Sequence, residues 1–392
     1  MQRLNPDPQF VRELQGVGGD ALTKCYQCAT CSVACPISPS SQPYPRKEMI
    51  WAQWGLKDKL MSDVDVWLCH NCGTCSDLCP RGARPGDLLA AIRNMTYRSL
   101  VGPSVFAKWM SSPKYLPMLA VIPAILFLVI WGIMAGVNGT LFPLTEDGHV
   151  VYGLIFPGDY TIDPIFILVT IYVLVAFYTG VTRLLKRFKP EGEVIYVGGK
   201  KPSVIRCLWD TIVGEIVTHK KFADCGEDKA PRKIGHLAIF YAFIALAIVT
   251  SIVAWGHWLP VFLGWGGIEI HGIHTPMPQA FPVKVLANFG AILGLVGLTV
   301  LTANRVAKDP KKTESNYYDW YLLGVIWAIF LTGIACELLR LANFKYLAYP
   351  TYFVHLVAVF MLIGYLPWSK LGHLVYRTAA LTYARYLGRK VM

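Results

Sequence analysis

Charged residues are scarce in this chain of 392 residues. Only 16% are Asp, Glu, Lys or Arg, against roughly 25% in soluble globular proteins, which excludes a purely soluble enzyme. A segment C-x-x-C-H, which would attach a c-type haem covalently, is missing, and so is a dinucleotide-binding G-x-G-x-x-G. Any haem is therefore expected to be non-covalent. Residues 1–20 contain no apolar stretch of the kind that exports a protein, and carry Pro6 and Pro8 instead. The N-terminal region is thus expected to stay in the cytoplasm.

What is abundant is apolar sequence, at 54%. Six stretches, about 116–136, 164–185, 236–258, 283–303, 320–340 and 351–371, have the length and apolarity of membrane helices. Lys and Arg number 13 in residues 1–115, twelve in 182–235, four between spans four and five, and five from Lys370 onward. Only Lys284, Arg340 and Lys345 lie elsewhere. This bias places the head, the loop 186–235 and both termini on the cytoplasmic side of the cell inner membrane. It also explains the net charge of +12 as a topological signal beside anionic membrane lipid, with no nucleic-acid partner. Residues 204–217 mix apolar and charged positions at helical spacing, and suit either an interfacial helix or a linker helix packed on the head.

Eight of the eleven cysteines lie in the first 79 residues. They form two runs, Cys25, Cys28, Cys31, Cys35-Pro36 and Cys69, Cys72, Cys75, Cys79-Pro80, both spaced C-x2-C-x2-C-x3-C-P. Cytoplasmic thiols stay reduced, so these are expected to be metal ligands or redox groups rather than disulfides. Zinc wants four ligands in two separated pairs, whereas two spaced quartets suit two [4Fe–4S] clusters whose fourth ligands are exchanged. The expected sets are Cys25, Cys28, Cys31 and Cys79 for one cluster, and Cys69, Cys72, Cys75 and Cys35 for the other. Between the runs, 46–60 reads as a helix, and 84–98 as another after the second run. His70, next to a ligand, reads as solvent-facing or supporting.

Histidines supply the second constellation. His236 opens the third span and His257 closes it, while His355 starts the sixth and His373 follows it. Antiparallel spans put His236 with His373 at the inner level and His257 with His355 at the outer level. Separations of about 31 Å and 27 Å along the helices leave room for two b-type haems stacked across the bilayer. His271 and His274 in the outer loop compete for the outer ligand position or lie near a quinone. His219 and Cys225 read as a solvated surface. Glu337 is spaced to pair with Arg340, and Lys284 and Asn288 are weak candidates for a quinone carbonyl.

The fold expected is mainly α: a helical, ferredoxin-like two-cluster cytoplasmic domain (1–115) followed by a six-helix cytochrome b bundle (116–392). The cysteine runs make the head similar to the C subunit of heterodisulfide reductase. The basic-looped spans with paired histidines resemble its E subunit and the gamma subunits of respiratory nitrate reductase. Their fusion resembles the membrane subunit of quinone-interacting oxidoreductase complexes of sulfate-reducing and some sulfur-oxidising prokaryotes. That resemblance implies menaquinone as the lipid electron carrier, partner subunits of the heterodisulfide reductase A type with flavin and iron–sulfur centres, and adenylylsulfate reductase as redox partner. The chain itself would be an electron-transfer subunit of an oxidoreductase, without a complete active site of its own. Two rival readings are a haem-free membrane anchor for an iron–sulfur head and a transporter with a cluster-bearing regulatory domain. The second would want internal repeats or broken mid-membrane helices, and neither stands out.

Overall fold

The computed structural model describes residues 4–39, 43–188, 202–219, 230–263, 276–307 and 317–388. They fold as helices and connecting turns, with no strand among the described residues.

In the head, Asp7 caps the first helix, Pro8–Leu14, by accepting from Phe10 N at 2.9 Å. The expected helix 46–60 is two, Arg46–Gln53 and Lys57–Ser62. The break falls at Gly55, whose φ of +66° lets it meet Asp7, where a Cβ would lie 2.7 Å from Asp7 O. Pro85 opens the long helix Pro85–Leu100, which buries Leu88, Leu89 and Ile92 against Phe10, Met49 and Trp67.

Among the described residues, six helices are long and apolar enough to cross a membrane, as in a multi-pass membrane protein. They run Leu116–Asn138, Asp163–Arg187, Ala230–Phe262, Pro282–Val306, Tyr317–Leu341 and Lys345–Gly364. Side chains such as Ile125, Val129, Ile133 and Leu174 point outward, as lipid-facing positions do. The third span starts six residues earlier than expected. The sixth starts at Lys345 rather than 351 and ends at Gly364 rather than 371, because Pro367 cannot continue the helix, so His355 lies in its middle and not at its start. A separate helix, His373–Tyr386, follows.

Head and spans share one apolar core. It passes from Trp67 through Tyr376 to Phe177, with ring centroids 6.2 Å and 5.6 Å apart. Arg183 Nη1 donates to Leu100 O at 2.8 Å and Trp368 Nε1 to Val101 O at 3.3 Å, so the end of the second span and the chain after the sixth both meet the head. At the opposite end of the bundle, Asn343 accepts from Val150 N at 2.8 Å. The helix Val204–Thr211, in the connection between the second and third spans and capped by Ser203, continues through a wider turn at Ile212–Val217 and packs on His373–Tyr386, where Glu215 pairs with Arg385. It buries Cys207 and Thr211 and leaves Ile205 and Trp209 exposed, the pattern of a helix with one apolar side still uncovered.

Candidate iron–sulfur and haem sites

The two cysteine runs adopt the same backbone twice. Gln27 (φ 62°) and Ala29 (φ 68°) in the first run, and Asn71 (φ 51°) and Gly73 (φ 94°) in the second, are left-handed. The chain thereby doubles back twice around each triplet before entering a one-turn helix, Thr30–Val33 or Thr74–Asp77. Doubling back aims main-chain N–H groups at sulfur. Gln27 N lies 3.4 Å from Cys25 Sγ, Asn71 N 3.3 Å from Cys69 Sγ, and Ala83 N 3.3 Å from Cys79 Sγ. Such donors stabilise and tune thiolate-bound clusters.

Cys35 leaves the first run and lines a cavity with Cys69, Cys72 and Cys75, roofed by Tyr44 and His70. Conversely, Cys79 sits close enough to Cys25 and Cys31 to perturb both electrostatically. Burial pushes the Cys31 thiol up to about 11 and Cys35 up to about 12, with Cys75 well above its ordinary range. Thiols raised in this way ionise only beside a compensating positive charge, which bound iron supplies. The donor set therefore fits two iron–sulfur clusters.

Three histidines share one hydrogen-bonding pattern. His373 Nδ1 lies 2.6 Å from Lys370 O, a carbonyl that only accepts, so Nδ1 carries the proton and Nε2 keeps a bare lone pair. Burial holds His373 down at about 3, in the neutral form a metal ligand requires. His355 Nδ1 lies 2.9 Å from Thr332 Oγ1, whose single proton is already given to Ala328 O at 2.5 Å, so here too Nδ1 donates. Gly333 keeps the ring's other edge open, since a Cβ there would stand 3.2 Å from His355 Cε1. His236 Nδ1 is 3.0 Å from His219 Nε2, and His236 is a charge neighbour of His373. A supporting partner on Nδ1, with Nε2 left to the metal, is how proteins present histidine to iron. His257 differs, because its Nε2 pairs with Asp159 Oδ1 at 3.0 Å and its side chain is 45% exposed.

Several side chains lie elsewhere than the sequence suggests. His219, expected at a solvated surface, is buried against His236, because the loop helix folds back under the bundle. Glu337 bonds Lys284 Nζ at 2.7 Å and Asn288 Nδ2 at 3.3 Å on the neighbouring span, rather than Arg340. Both quinone candidates on that span are thus engaged with a carboxylate. His70 is buried and faces Arg377 Nη2 at 2.9 Å. His271, His274 and Cys225 lie outside the described residues. His219 and Arg377 have no spacing signal in the sequence, because they reach their partners across 17 and 307 residues.

The geometry defines the head as a two-cluster iron–sulfur electron-transfer domain, and the sequence model of the 4Fe-4S dicluster domain matches residues 21–83. The same region is 38% identical over 95 residues to the C subunit of the H(2):CoB-CoM heterodisulfide,ferredoxin reductase of Methanothermobacter marburgensis, covering 24% of this chain and 51% of the relative. It is 38% identical over 100 residues to the iron-sulfur C subunit of the CoB--CoM heterodisulfide reductase of Methanopyrus kandleri, covering 24% and 51%. A protein of Archaeoglobus profundus described as like the C subunit of heterodisulfide reductase is 32% identical over 88 residues, covering 22% and 45%. The chain thus spans about half the length of the curated relatives it matches. No solved structure matches.

Proposed function

We propose that this chain is the membrane electron-transfer subunit of a quinone-interacting oxidoreductase complex. Its head (1–115) and membrane domain (116–392) link menaquinol in the bilayer to flavoprotein subunits of the heterodisulfide reductase A type in the cytoplasm. The observation that carries the reading is the joint presence of two thiol quartets and of three histidines held through Nδ1 in one chain whose head and spans share a continuous core. Haem b bound by His236 and His373, and by His355 with His257, supplies one-electron carriers between a two-electron quinol and the clusters. For the outer pair, His257 must first release Asp159.

The protein's own contribution is positional. Lys370 O and His219 hold the inner imidazoles by Nδ1, and Thr332 holds the outer one. Cys25, Cys28, Cys31 and Cys79 bind one cluster, and Cys69, Cys72, Cys75 and Cys35 the other. The shared core excludes water between the two halves. With both termini in the cytoplasm of a cell carrying out dissimilatory sulfate or sulfur metabolism, adenylylsulfate reductase is the terminal redox partner in this reading.

The test is a pyridine haemochrome spectrum with iron and sulfide counts on the purified full-length protein, followed by reduction with a menaquinol analogue. The expected result is b-type haem, about eight non-haem irons per chain, and quinol-driven reduction of both haem and clusters. Absence of b-type absorbance overturns the proposal in favour of a haem-free anchor.

A further inference from the structure

The loop Trp67–Cys72, which begins the second cysteine run, is clamped from the membrane side by two arginines. Arg377 Nε donates to Trp67 O at 3.1 Å, and its Nη2 lies 2.9 Å from His70 Nδ1. Arg232 Nη1 donates to Asn71 O at 2.6 Å. Both stand one helical turn from an inner histidine: Arg377 is four residues after His373, and Arg232 four residues before His236. Each helix that carries an inner histidine therefore grips the same cluster loop. The first run is open by comparison, with Cys28 exposed and Tyr26 and Val33 beside it 69% and 87% exposed. Cys31 and Cys75 are charge neighbours, so the two sites adjoin.

Building on the function proposed above, we infer that electrons cross between the membrane domain and the head through the cluster site of Cys35, Cys69, Cys72 and Cys75. The site of Cys25, Cys28, Cys31 and Cys79 follows it on the partner side. Arg377 and Arg232 are the positioning residues of this junction, and their fixed positive charges favour the reduced form of the nearer cluster. The balance is simple: a quinol loses two electrons and two protons and becomes a quinone, the protons pass to water, each cluster site takes up one electron, and no bond to the protein forms or breaks.

The experiment uses purified full-length protein and potentiometric titration followed by EPR, with Cys28→Ser and Cys72→Ser proteins assigning each signal to its run. Arg377→Met should lower the potential of the cluster assigned to the Cys69 run and leave the other unmoved, and Arg377→Lys should restore it. Arg232→Met gives the same readout from the other helix if Arg377→Met fails to load its cluster. Rapid-freeze reduction with a quinol analogue should fill the Cys69-run cluster first. A shift confined to the other cluster, an equal shift of both, or the reverse filling order overturns the junction. Reduction of both clusters by dithionite but of neither by quinol overturns the function proposed above, and the junction with it.

Discussion

Replacing Thr332 by valine deletes one oxygen and little shape, and that oxygen accepts the Nδ1 proton of His355 at 2.9 Å. The hydroxyl has no second proton to offer, because Ala328 O takes it at 2.5 Å. The variant therefore removes the hydroxyl from the His355 N–H inside the fifth and sixth spans and leaves it only the Ile329 carbonyl. Losing one buried hydrogen bond costs about 0.5–1.5 kcal/mol, and about 1.4 kcal/mol is tenfold in affinity. Loss of a ligand's supporting partner elsewhere costs metal sites about 10–100-fold. Haem at the outer site should bind about 10–100-fold more weakly, while the inner site, supported by His219 and Lys370 O, should keep its haem. The assay is the pyridine haemochrome ratio to protein across a dilution series, with non-haem iron as internal control. Thr332→Ser should restore binding. Full retention of both haems in Thr332→Val with unchanged potentials, or selective loss of the inner one, would refute the reasoning.

The exchanged cluster ligation predicts that Cys35→Ser alters the same EPR signal as Cys72→Ser, and Cys79→Ser the same signal as Cys28→Ser; grouping by sequence run instead would contradict it. Gly297→Ala should loosen the third and fourth spans, because its Cβ would lie 2.8 Å from Gly235 O and 2.9 Å from Ala238 Cβ. Overpacking of this kind costs about 1–3 kcal/mol, read as a lower thermal midpoint in detergent, and an unchanged midpoint would count against close packing there. In the head, Glu48 is fully buried with Asp63, Asp65 and Lys47, and burial pushes its carboxyl well above the usual range. The folded head then holds a proton that the unfolded chain releases, so this group's contribution is present at low pH and is lost as pH rises past the ordinary carboxylate range. Glu48→Gln should stabilise the head at neutral pH and flatten that dependence, measured by cluster bleaching in denaturant; a steeper dependence would reverse the assignment.

Legibility in the sequence followed the range of the interaction. The cysteine runs, the six apolar stretches and the basic loops are local patterns, and local chemistry is enough to read them. Ends of helices were less legible. Gly55 breaks one helix only because Asp7 comes up against it, and Pro367 ends the sixth span where apolarity alone carried it to 371. Contacts between distant segments were not legible at all. His219 had no visible reason to be buried until the loop helix folded under the bundle, and Glu337 chose Lys284 on another span over its neighbour in the same helix.

Ligand spacing and hydrophobic length are properties of short stretches, so a helical chain with an iron–sulfur head and a six-span membrane body could be read from the residues in order. Folding in three dimensions was needed to show which imidazole nitrogens are held, that Cys35 joins the second run's cavity, and that arginines from two membrane-side helices close on one cluster loop. Those outcomes depend on directional bonds between groups that are tens to hundreds of residues apart, and no local pattern encodes a direction in space.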